Sequence, residues 1–513
     1  MQKISVNRLP NRRRPIAGAA IAPFALLGAC ALQPPHQPPA LEVSRAWTYA
    51  PSTPAPSAPI EREDWWTLLG DPPIDRLVAA GLAGNPTLAE AAARVDQARA
   101  ALAVQGARRR PSVALDGSAS RARDRAGAGD ATTSQTSAAL GATLSWELDL
   151  WGRVREGQNA ARHRLAARDA DAEAARLSII GEIADTALAL RACDLTLDLR
   201  DRDIASRETE LAVTRARSTF GSIAPVAVAT AASNLASAQT DRITQEETCR
   251  RLVDALVALS GLEAAEIRRL LPPNPQAATI AGIGPSPSGA QMPQPPPYTP
   301  ALPARVVLRH PGVVAAEREV AARWSEIAVA RAERLPRVDL TAVLSQQWIR
   351  ALGSSASYVG RSIGAGLTGP LFDGGAGAAT VSASEASYRE AVAQLGFAVR
   401  AAVRDVEDAL AAQESARARI ETSGDALEAA RFTLQANTAR WRAGSIAQVE
   451  LEESRRQFNR AEESAIAAAA DRARAWVALV RRTGSPWDTP LAGPGAETMS
   501  AGGPGIAKGN SRL

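Results

Sequence analysis

Few residues in this chain have the types and spacing that catalysis or metal binding requires. Its three histidines stand far apart: His36 in a Pro-rich stretch, His163 in a polar helical stretch and His310 directly before a proline. The sequence has no Gly-rich phosphate loop, no Cys/His metal-binding spacing and no nucleophile elbow. Gly374 and Gly375 are interpreted as a turn. We therefore predict no catalytic residue, no metal site and no cofactor.

The first cysteine lies in a context suited to covalent modification. Residues 1–29 start with an Arg-rich segment and continue as an apolar run, which is typical of an export signal. The segment Leu27–Cys30 (LGAC) resembles the lipobox of bacterial lipoproteins, in which the cysteine is lipidated and becomes the mature N-terminus. Ala31 is not an acidic retention signal. This resemblance predicts that lipidated Cys30 anchors the chain in outer-membrane lipid.

The distribution of charge argues against nucleic-acid binding. The formal net charge is +5, and residues 1–29 contain five basic residues and no acidic one. The rest of the chain is therefore neutral, with both signs interspersed, and it has no electrostatic footprint for phosphate backbones.

The composition predicts long helices rather than a thick hydrophobic core. Aromatic residues make up only 4% of the chain, and long stretches lack Gly and Pro. Such helices meet through small side chains. After Cys30 no stretch has about 18 consecutive apolar residues, so a membrane-spanning helix is not expected. Any crossing of the bilayer would then require a β-barrel.

Pro-rich stretches divide the chain. Residues 30–64 are interpreted as a lipid-anchored tether, 272–302 as a linker and 485–513 as a disordered tail. They separate two structured blocks, 65–271 and 303–484. The domain prediction is thus two repeats joined by a linker.

The two blocks are copies of one unit. In the first, Pro86 and Pro111 bound a helical stretch, and Pro311 and Pro336 bound a stretch of equal length in the second. Later in each copy, apolar residues recur every seven positions. The two tracks align position for position: Ile183, Leu190, Leu197, Ile204 and Leu211 in the first copy; Val406, Gln413, Ile420, Leu427 and Leu434 in the second. A seven-residue repeat held over many turns imposes a left-handed coiled coil. The duplication therefore predicts two long helical hairpins.

The length of these helices favours a structure that reaches well beyond a bilayer. The longest predicted helix, from about Arg153 to Phe220, would extend roughly 100 Å at 1.5 Å per residue.

Between the opening helix and the long helix of each copy, apolar and polar residues alternate. The segments are 113–115, 138–148, 338–345 and 359–367. Runs of about ten residues with one apolar face are typical of transmembrane strands. A sheet packed on a soluble core gives the same pattern, but repetition at matching places favours the membrane. Aromatic residues near the segment ends would form an interfacial girdle: Trp146, Trp151, Trp348 and Tyr358.

Four strands cannot close a barrel, for which about eight is the minimum. Subunits must therefore associate, and three subunits would supply twelve strands.

Two further cysteines are placed symmetrically about the predicted turn of the first hairpin. Cys193 precedes Gly221 by the same number of residues as Cys249 follows it. Residues equidistant from the turn of an antiparallel hairpin are neighbours, and the periplasm is oxidising. Two interpretations stay open: a disulfide, or two buried free thiols.

An ordered set of motifs resembles the TolC-like outer-membrane factors, in particular the NodT-like lipoprotein branch found with resistance-nodulation-division pumps. The matching segments are Trp65–Pro72 (WWTLLGDP), Ser145–Gly152 (SWELDLWG), Leu308–Pro311 (LRHP) and Pro370–Gly375 (PLFDGG). The resemblance covers about four-fifths of the chain. Two departures are His310 and Gly312, where the family pattern has Arg and Asp.

The resemblance implies a mainly α-helical fold with a β-barrel portion. It implies a homotrimer with a twelve-stranded barrel in the outer membrane, and long coiled-coil hairpins forming a helical barrel in the periplasm. Such a protein is the passive outer-membrane channel of a tripartite efflux system. Its partners are a periplasmic adaptor and an inner-membrane pump of the resistance-nodulation-division type, and the pump selects the cargo.

The resemblance also assigns roles to residues at the hairpin turns, Phe220–Pro225 and Ala443–Gln448. The turns would contact the adaptor through Gly221, Ser222, Gly444 and Ser445. Each glycine also lets the chain reverse direction between antiparallel helices.

A periplasmic gate is expected in the second hairpin only. In the family, acidic residues six and nine positions after the turn glycine line the constriction, and counting from Gly444 reaches Glu450 and Glu453. The same count from Gly221 reaches two neutral residues, Ala227 and Thr230. The i, i+3 spacing places both glutamates on one helical face, so a trimer would carry six carboxylates around the pore.

Repulsion within such a ring must be relieved by cations or arginines, and Arg442 and Arg455 are the nearest candidates. The alternative is a solvated, Glu-rich helix start, which the helix dipole also favours.

A different class of protein has the same lipidation signal and helical pattern, namely a periplasmic coiled-coil lipoprotein that acts as a scaffold or adaptor without a transmembrane barrel. Adaptors carry one hairpin flanked by soluble β-rich domains. Two hairpins, each with paired strands, favour the channel.

Overall fold

The structure, a computed structural model, describes most of the two predicted repeats. The described residues are 36–37, 39, 43–50, 64–125, 132–273, 292–298, 300–301, 303–351 and 353–484. The predicted export signal, Cys30 and the predicted tail 485–513 lie outside them. The tether and the linker are described only in part.

The described elements follow one another in two similar series. The first is a short 3-10 helix Trp65–Leu69, α1 Pro72–Gly84, α2 Pro86–Ala107, β1 Ser112–Arg125, β2 Thr132–Leu148, α3 Arg153–Thr219, α4 Pro225–Ser260 and α5 Ala264–Leu270. The second is α6 Pro303–Arg309, α7 Pro311–Ala332, β3 Arg337–Ala351, β4 Ser354–Thr368, α8 Ala376–Arg442 and α9 Gln448–Thr483.

Three pairs of corresponding helices in the two series have identical lengths. Helices α2 and α7 each have 22 residues, α3 and α8 each have 67, and α4 and α9 each have 36. The opening helices differ in length, since α1 has 13 residues and α6 has 7. The predicted internal duplication and long helical hairpins are confirmed.

The chain divides into two compact units. One, here the strand unit, holds the described residues within 1–38, 99–164 and 319–391. The other, here the helical unit, holds those within 39–98, 165–318 and 392–513. No helix among the described residues combines the length and the apolar character needed to span a bilayer.

The strand unit contains one antiparallel sheet with the order β1-β2-β3-β4. Both β-hairpins turn at the same end of the strands, and this end of the sheet is here called the loop edge. There Arg125 is paired with Thr132, and Ala351 is paired with Ser354. At the opposite edge, here the helix edge, β2 ends close to the start of α3, and β4 ends close to the start of α8. The strands have 14 to 17 residues and are longer than the predicted runs of about ten.

The helical unit has a core built on the predicted seven-residue tracks. Ile183, Leu190 and Leu211 of the first track are buried, as is Val406 of the second. The remaining track residues are half-buried. Deeper in the core, two indole rings pack with centroids 6.0 Å apart: those of Trp65 and Trp476.

Candidate functional site

Strand register places most of the large apolar residues of the four strands on one face of the sheet, here the apolar face. Leu144 on β2 is paired with Val113 on β1 and with Ala342 on β3, and Ala342 is paired with Ile363 on β4. Apolar residues that share this face and are exposed are Val113, Leu115, Leu140, Leu344, Trp348, Val359, Ile363 and Leu367. Ile363 is 89% exposed and Leu115 is 75% exposed. A soluble sheet would bury such a face, so the exposed residues require an apolar partner outside the protomer.

The opposite face, here the polar face, carries mainly small and polar side chains, with Val343 and Ile349 as exceptions. One cross-strand row consists of Asp116, Gly141, Ser345 and Gly360. The alternation predicted from sequence therefore produces two chemically different faces that are consistent across four strands. Each row consists of the residues that are paired with one another across the strands. Between the row that contains Leu148 and the row that contains Trp348, Arg361 is the one charged residue described on the apolar face.

The four aromatic residues of the predicted girdle lie in different places in the strand unit. Trp146 and Trp348 lie on the apolar face, and Trp151 follows β2, where its indole N–H donates to the Pro336 carbonyl at 2.7 Å. Tyr358 differs from the prediction. Its pairing with Gln347 places it on the polar face, and its hydroxyl donates to the Gln347 side chain.

An aspartate caps the first turn of each long helix where it leaves the strand. The Asp149 carboxylate accepts hydrogen bonds from the backbone N–H groups of Val154, at 3.0 Å, and Arg155, at 2.8 Å. Asp373 accepts from the N–H groups of Gly375, at 2.9 Å, and Gly377, at 2.8 Å. Both helix starts would otherwise leave N–H groups unsatisfied, so these side chains fix where each strand becomes a helix.

The two hairpin turns have the same backbone construction. Gly221 and Gly444 both have a φ of 70°, a conformation that glycine adopts without the strain of a Cβ. The N–H of Ser222 donates to the Arg217 carbonyl at 2.9 Å, and that of Ser445 to the Arg440 carbonyl at 2.8 Å. These bonds satisfy the last carbonyls of α3 and α8.

All four predicted adaptor-contacting residues are exposed in these turns. The turns are one residue shorter than predicted, because Pro225 and Gln448 are already the first residues of their helices. The phenyl ring of Phe220 adds an apolar side chain, 85% exposed, to the first turn.

The structure places the two predicted gate residues in different surroundings. Glu450 is exposed in the first turn of α9. Glu453 accepts hydrogen bonds from Arg456, the shorter being 2.8 Å, and Arg456 also donates to Glu210 of α3 at 2.8 Å. Partial burial would raise the pKa of Glu453, but the bonds from Arg456 and Gln457 outweigh it and hold this pKa below its ordinary value. Glu453 is therefore charged near neutral pH.

The arginines that neutralise this region differ from those predicted. Arg456, rather than Arg442 or Arg455, binds Glu453. Arg455 instead donates to Glu452, at 3.0 Å. The i, i+3 spacing of Glu453 and Arg456 is visible in the sequence, whereas the contact with Glu210 is not, because it joins helices distant in the chain.

Glu452 is a buried carboxylate that the sequence analysis did not single out. It is fully buried, accepts a hydrogen bond from the Ser206 hydroxyl of α3 at 2.7 Å, and accepts another from the Gln448 amide at 2.5 Å. Together with Arg456, it ties the start of α9 to α3 through charge-assisted hydrogen bonds.

The first hairpin carries a covalent link. The structure pairs Cys193 of α3 with Cys249 of α4 as a disulfide, with Cα atoms 5.6 Å apart. Both cysteines are buried within the core of the helical unit. The symmetric placement about Gly221 thus brings the two side chains together.

The histidines remain separate in the structure. The His36 ring lies against Trp324, with centroids 6.0 Å apart. Burial lowers the pKa of His310, Asp405 opposes that shift, and Arg482 adds to it. Within the described residues, no group of three or more His, Cys, Asp or Glu side chains is arranged to hold a metal ion.

Comparison with known proteins identifies the family. Residues 77–262 and 302–485 match the family model described as outer membrane efflux protein. The outer membrane protein OprJ of Pseudomonas aeruginosa is 28% identical over 489 residues, which cover 93% of this chain and 97% of that protein. Nodulation protein T of Rhizobium leguminosarum bv. viciae is 25% identical, over 88% of this chain and 89% of that protein.

A solved structure shows the same fold. The crystal structure of the Campylobacter jejuni CmeC outer membrane channel superposes with a TM-score of 0.76. The superposed part covers 89% of this chain and 95% of the CmeC chain, and the two sequences are 20% identical. The resemblance inferred from the motifs is confirmed, because the family model spans well over half of the sequence. The chain belongs to the outer membrane efflux protein family and is an outer-membrane efflux channel.

Proposed function

We propose that three copies of this chain form the exit duct of a tripartite efflux system. The four strands of each copy would join those of its neighbours into a twelve-stranded barrel, and the helical hairpins would extend the duct into the periplasm. An inner-membrane pump of the resistance-nodulation-division type and a periplasmic adaptor deliver the substrate, which then crosses the outer membrane passively.

The observation that carries this proposal is the exposed apolar face of the sheet. Its residues are in register across all four strands and have no covering layer among the described residues. An apolar outer face and a polar inner face are what a strand needs when lipid lies on one side and water on the other. Strands β1 and β4 are each paired on one side only within the protomer, and neighbouring copies would supply the missing pairing.

Cys30 supplies a second attachment to the membrane in this proposal. Lipidation at Cys30 would hold the N-terminus at the inner leaflet of the outer membrane, and residues 31–64 would connect it to the first repeat. The barrel is the main anchor in this proposal, because it crosses the whole bilayer, whereas the lipid at Cys30 inserts into one leaflet only.

The proposal is tested by the behaviour of the purified chain with and without its lipid anchor. We expect detergent-dependent, SDS-resistant trimers that convert to monomers on heating, and we expect Cys30→Ala with a cleavable export signal to retain this behaviour. A soluble monomer after loss of Cys30 would instead support a coiled-coil scaffold or adaptor.

The hairpin turns are proposed to contact the adaptor. Gly221, Ser222, Gly444 and Ser445 are exposed, and the two turns have the same construction, so a trimer would present six similar turns. Repetition of one motif around a ring suits a partner that binds several equivalent sites at once.

Glu450 and Glu453 are proposed to form the periplasmic gate. Glu453 is held by Arg456, which also binds Glu210 of α3, so the charge at this position is fixed to the body of the hairpin pair. Glu450, one turn earlier on the same helical face, is exposed and would meet its counterparts in the trimer. Rings of carboxylates favour cations in a narrow pore.

Substitution of both gate residues is expected to change conduction. In planar bilayers, Glu450→Gln with Glu453→Gln should increase single-channel conductance, reduce cation preference and weaken block by divalent cations, because the carboxylate ring is neutralised and Arg456 loses a partner. A matched control, Asp241→Asn with Glu247→Gln, removes the same charge from α4 and should leave all three properties unchanged. If both double variants behave like the wild type, these glutamates are not the gate.

A further inference from the structure

Exposed arginines lie on the apolar face close to the loop edge of the sheet. Arg121 on β1 is paired with Thr136 on β2, Thr136 with Arg350 on β3, and Arg350 with Ser355 on β4. These four residues therefore form one cross-strand row, and all four are exposed. Neighbouring strands are about 4.8 Å apart, so the backbones of the two arginines are separated by about 10 Å, with a hydroxyl between them. Arg123 lies one row further toward the loop edge, paired with Ser134.

Within the described part of the chain, no ion pair or side-chain hydrogen bond engages Arg121, Arg123 or Arg350. Two arginines at the helix edge do have carboxylate partners, since Arg337 pairs with Asp339 at 3.0 Å and Arg153 pairs with Glu147 at 2.5 Å. The guanidinium groups near the loop edge are thus available to an external anion.

The depth of the arginine row follows from the strand geometry. On the apolar face, five steps of two residues separate the Leu148 row from the Trp348 row. Each step rises about 6.7 Å along the strand, so the band is about 33 Å long, or about 25 Å high at a tilt of about 40°. That height matches the apolar band of outer-membrane barrels. The Arg121–Arg350 row lies one step beyond Trp348, at the level where lipid headgroups begin.

The orientation of the sheet in the membrane determines which leaflet the arginine row faces. The statement rests on the proposed function, in which the helices extend into the periplasm. The helix edge then faces the periplasm and the loop edge faces the cell exterior. The outer leaflet of such a membrane is made of phosphorylated, multiply acylated glycolipid, whose phosphates lie at the headgroup level.

We propose that Arg121, Arg350 and Arg123 form a binding surface for the phosphate groups of this outer-leaflet glycolipid, lipid A. Guanidinium groups bind phosphate oxygens through paired N–H donors. The hydroxyls of Thr136 and Ser355 lie in the same row and add neutral donors. The acyl chains of the bound lipid would cover the apolar rows below, from Trp348 toward Leu148. One lipid would thereby satisfy both the unpaired charges and the exposed apolar face.

The test uses the full chain as purified trimers in detergent, titrated with diphosphoryl lipid A and measured by native mass spectrometry. We expect Arg121→Gln with Arg350→Gln to weaken binding about 25-fold, because each arginine near an anionic lipid surface contributes about fivefold. Arg108→Gln with Arg110→Gln removes the same charge from the helix edge and should change binding less than about twofold. Wild-type trimers should bind diphosphoryl lipid A in preference to phosphatidylcholine, because phosphatidylcholine carries no net charge.

Several results would overturn the inference. Binding by the Arg121 and Arg350 variant within about twofold of the wild type would do so, as would an equal loss in the helix-edge control or equal retention of phosphatidylcholine. If that double variant does not form trimers, Arg350→Lys replaces it, since it keeps the charge but loses the paired donors and should bind several-fold more weakly. Wild-type trimers that conduct but show no arginine-dependent binding would refute this inference alone, whereas failure of the wild type to insert into bilayers would refute the proposed function.

Discussion

Replacing Leu144 by arginine is expected to reduce the accumulation of folded trimers in the outer membrane, because it adds a charge to a face on which Arg361 already lies. Leu144 lies on β2 in the middle of the apolar face, where it is paired with Val113 and Ala342. An arginine facing lipid near the middle of a bilayer costs about 2–4 kcal/mol, and a trimer would carry three of them. The measurement is the amount of SDS-resistant trimer in purified outer membranes, compared with the wild type at equal expression.

The neighbouring residue provides a matched control. Thr143 is adjacent on the same strand and points to the polar face, where we expect arginine to be tolerated and trimers to form at near wild-type levels. The proposal would be contradicted if Leu144→Arg were tolerated while Thr143→Arg abolished trimers, because the faces would then have the opposite environments.

Loss of the Cys193–Cys249 disulfide is expected to destabilise the helical unit by about 4 kcal/mol. The two cysteines are 56 residues apart in sequence, and closing a loop of that size removes a corresponding amount of entropy from the unfolded chain. The measurement is guanidinium unfolding followed by helical circular dichroism, with and without a thiol reductant. Mass spectrometry of the unreduced protein should detect no free thiol at either position.

The control for this prediction is Cys193→Ser with Cys249→Ser. This variant should match the reduced wild type in stability and should not respond to reductant. Free thiols in the unreduced protein, or a free energy of unfolding that reduction leaves unchanged, would show that the disulfide does not form. The corresponding positions in the second hairpin are Ala416 and Arg472. A disulfide would therefore constrain only the hairpin that lacks the proposed gate.

Much of the fold was predictable because the sequence repeats simple local patterns. The seven-residue tracks and the low Gly and Pro content identified α3 and α8, because the same spacing continues along each long helix. The end of each helix at its hairpin turn was predicted to within one residue. Period-two alternation identified four strands, and the duplication confirmed each pattern by its copy. Gly221 and Gly444 marked both turns, because a positive φ at a helix end favours glycine strongly.

Contacts between elements that are distant in sequence were harder to predict from the sequence. The bond of Arg456 to Glu210 and that of Ser206 to Glu452 depend on the register between α3 and α9, which no single periodicity determines. Glu452 appeared to be one more acid in a Glu-rich helix start, whereas the structure buries it completely. The face on which Tyr358 lies also required the strand register, because apolar and polar residues alternate poorly in the Gly- and Ser-rich β4.

We expect trimers of this chain to form a pore through the outer membrane. The most direct test of this expectation is current recording across a planar lipid bilayer after addition of purified, detergent-solubilised trimers. If the trimers form a pore, the wild type gives discrete steps of conductance and the variant Glu450→Gln with Glu453→Gln gives larger steps. A baseline current with both proteins, despite correctly assembled trimers, would contradict it.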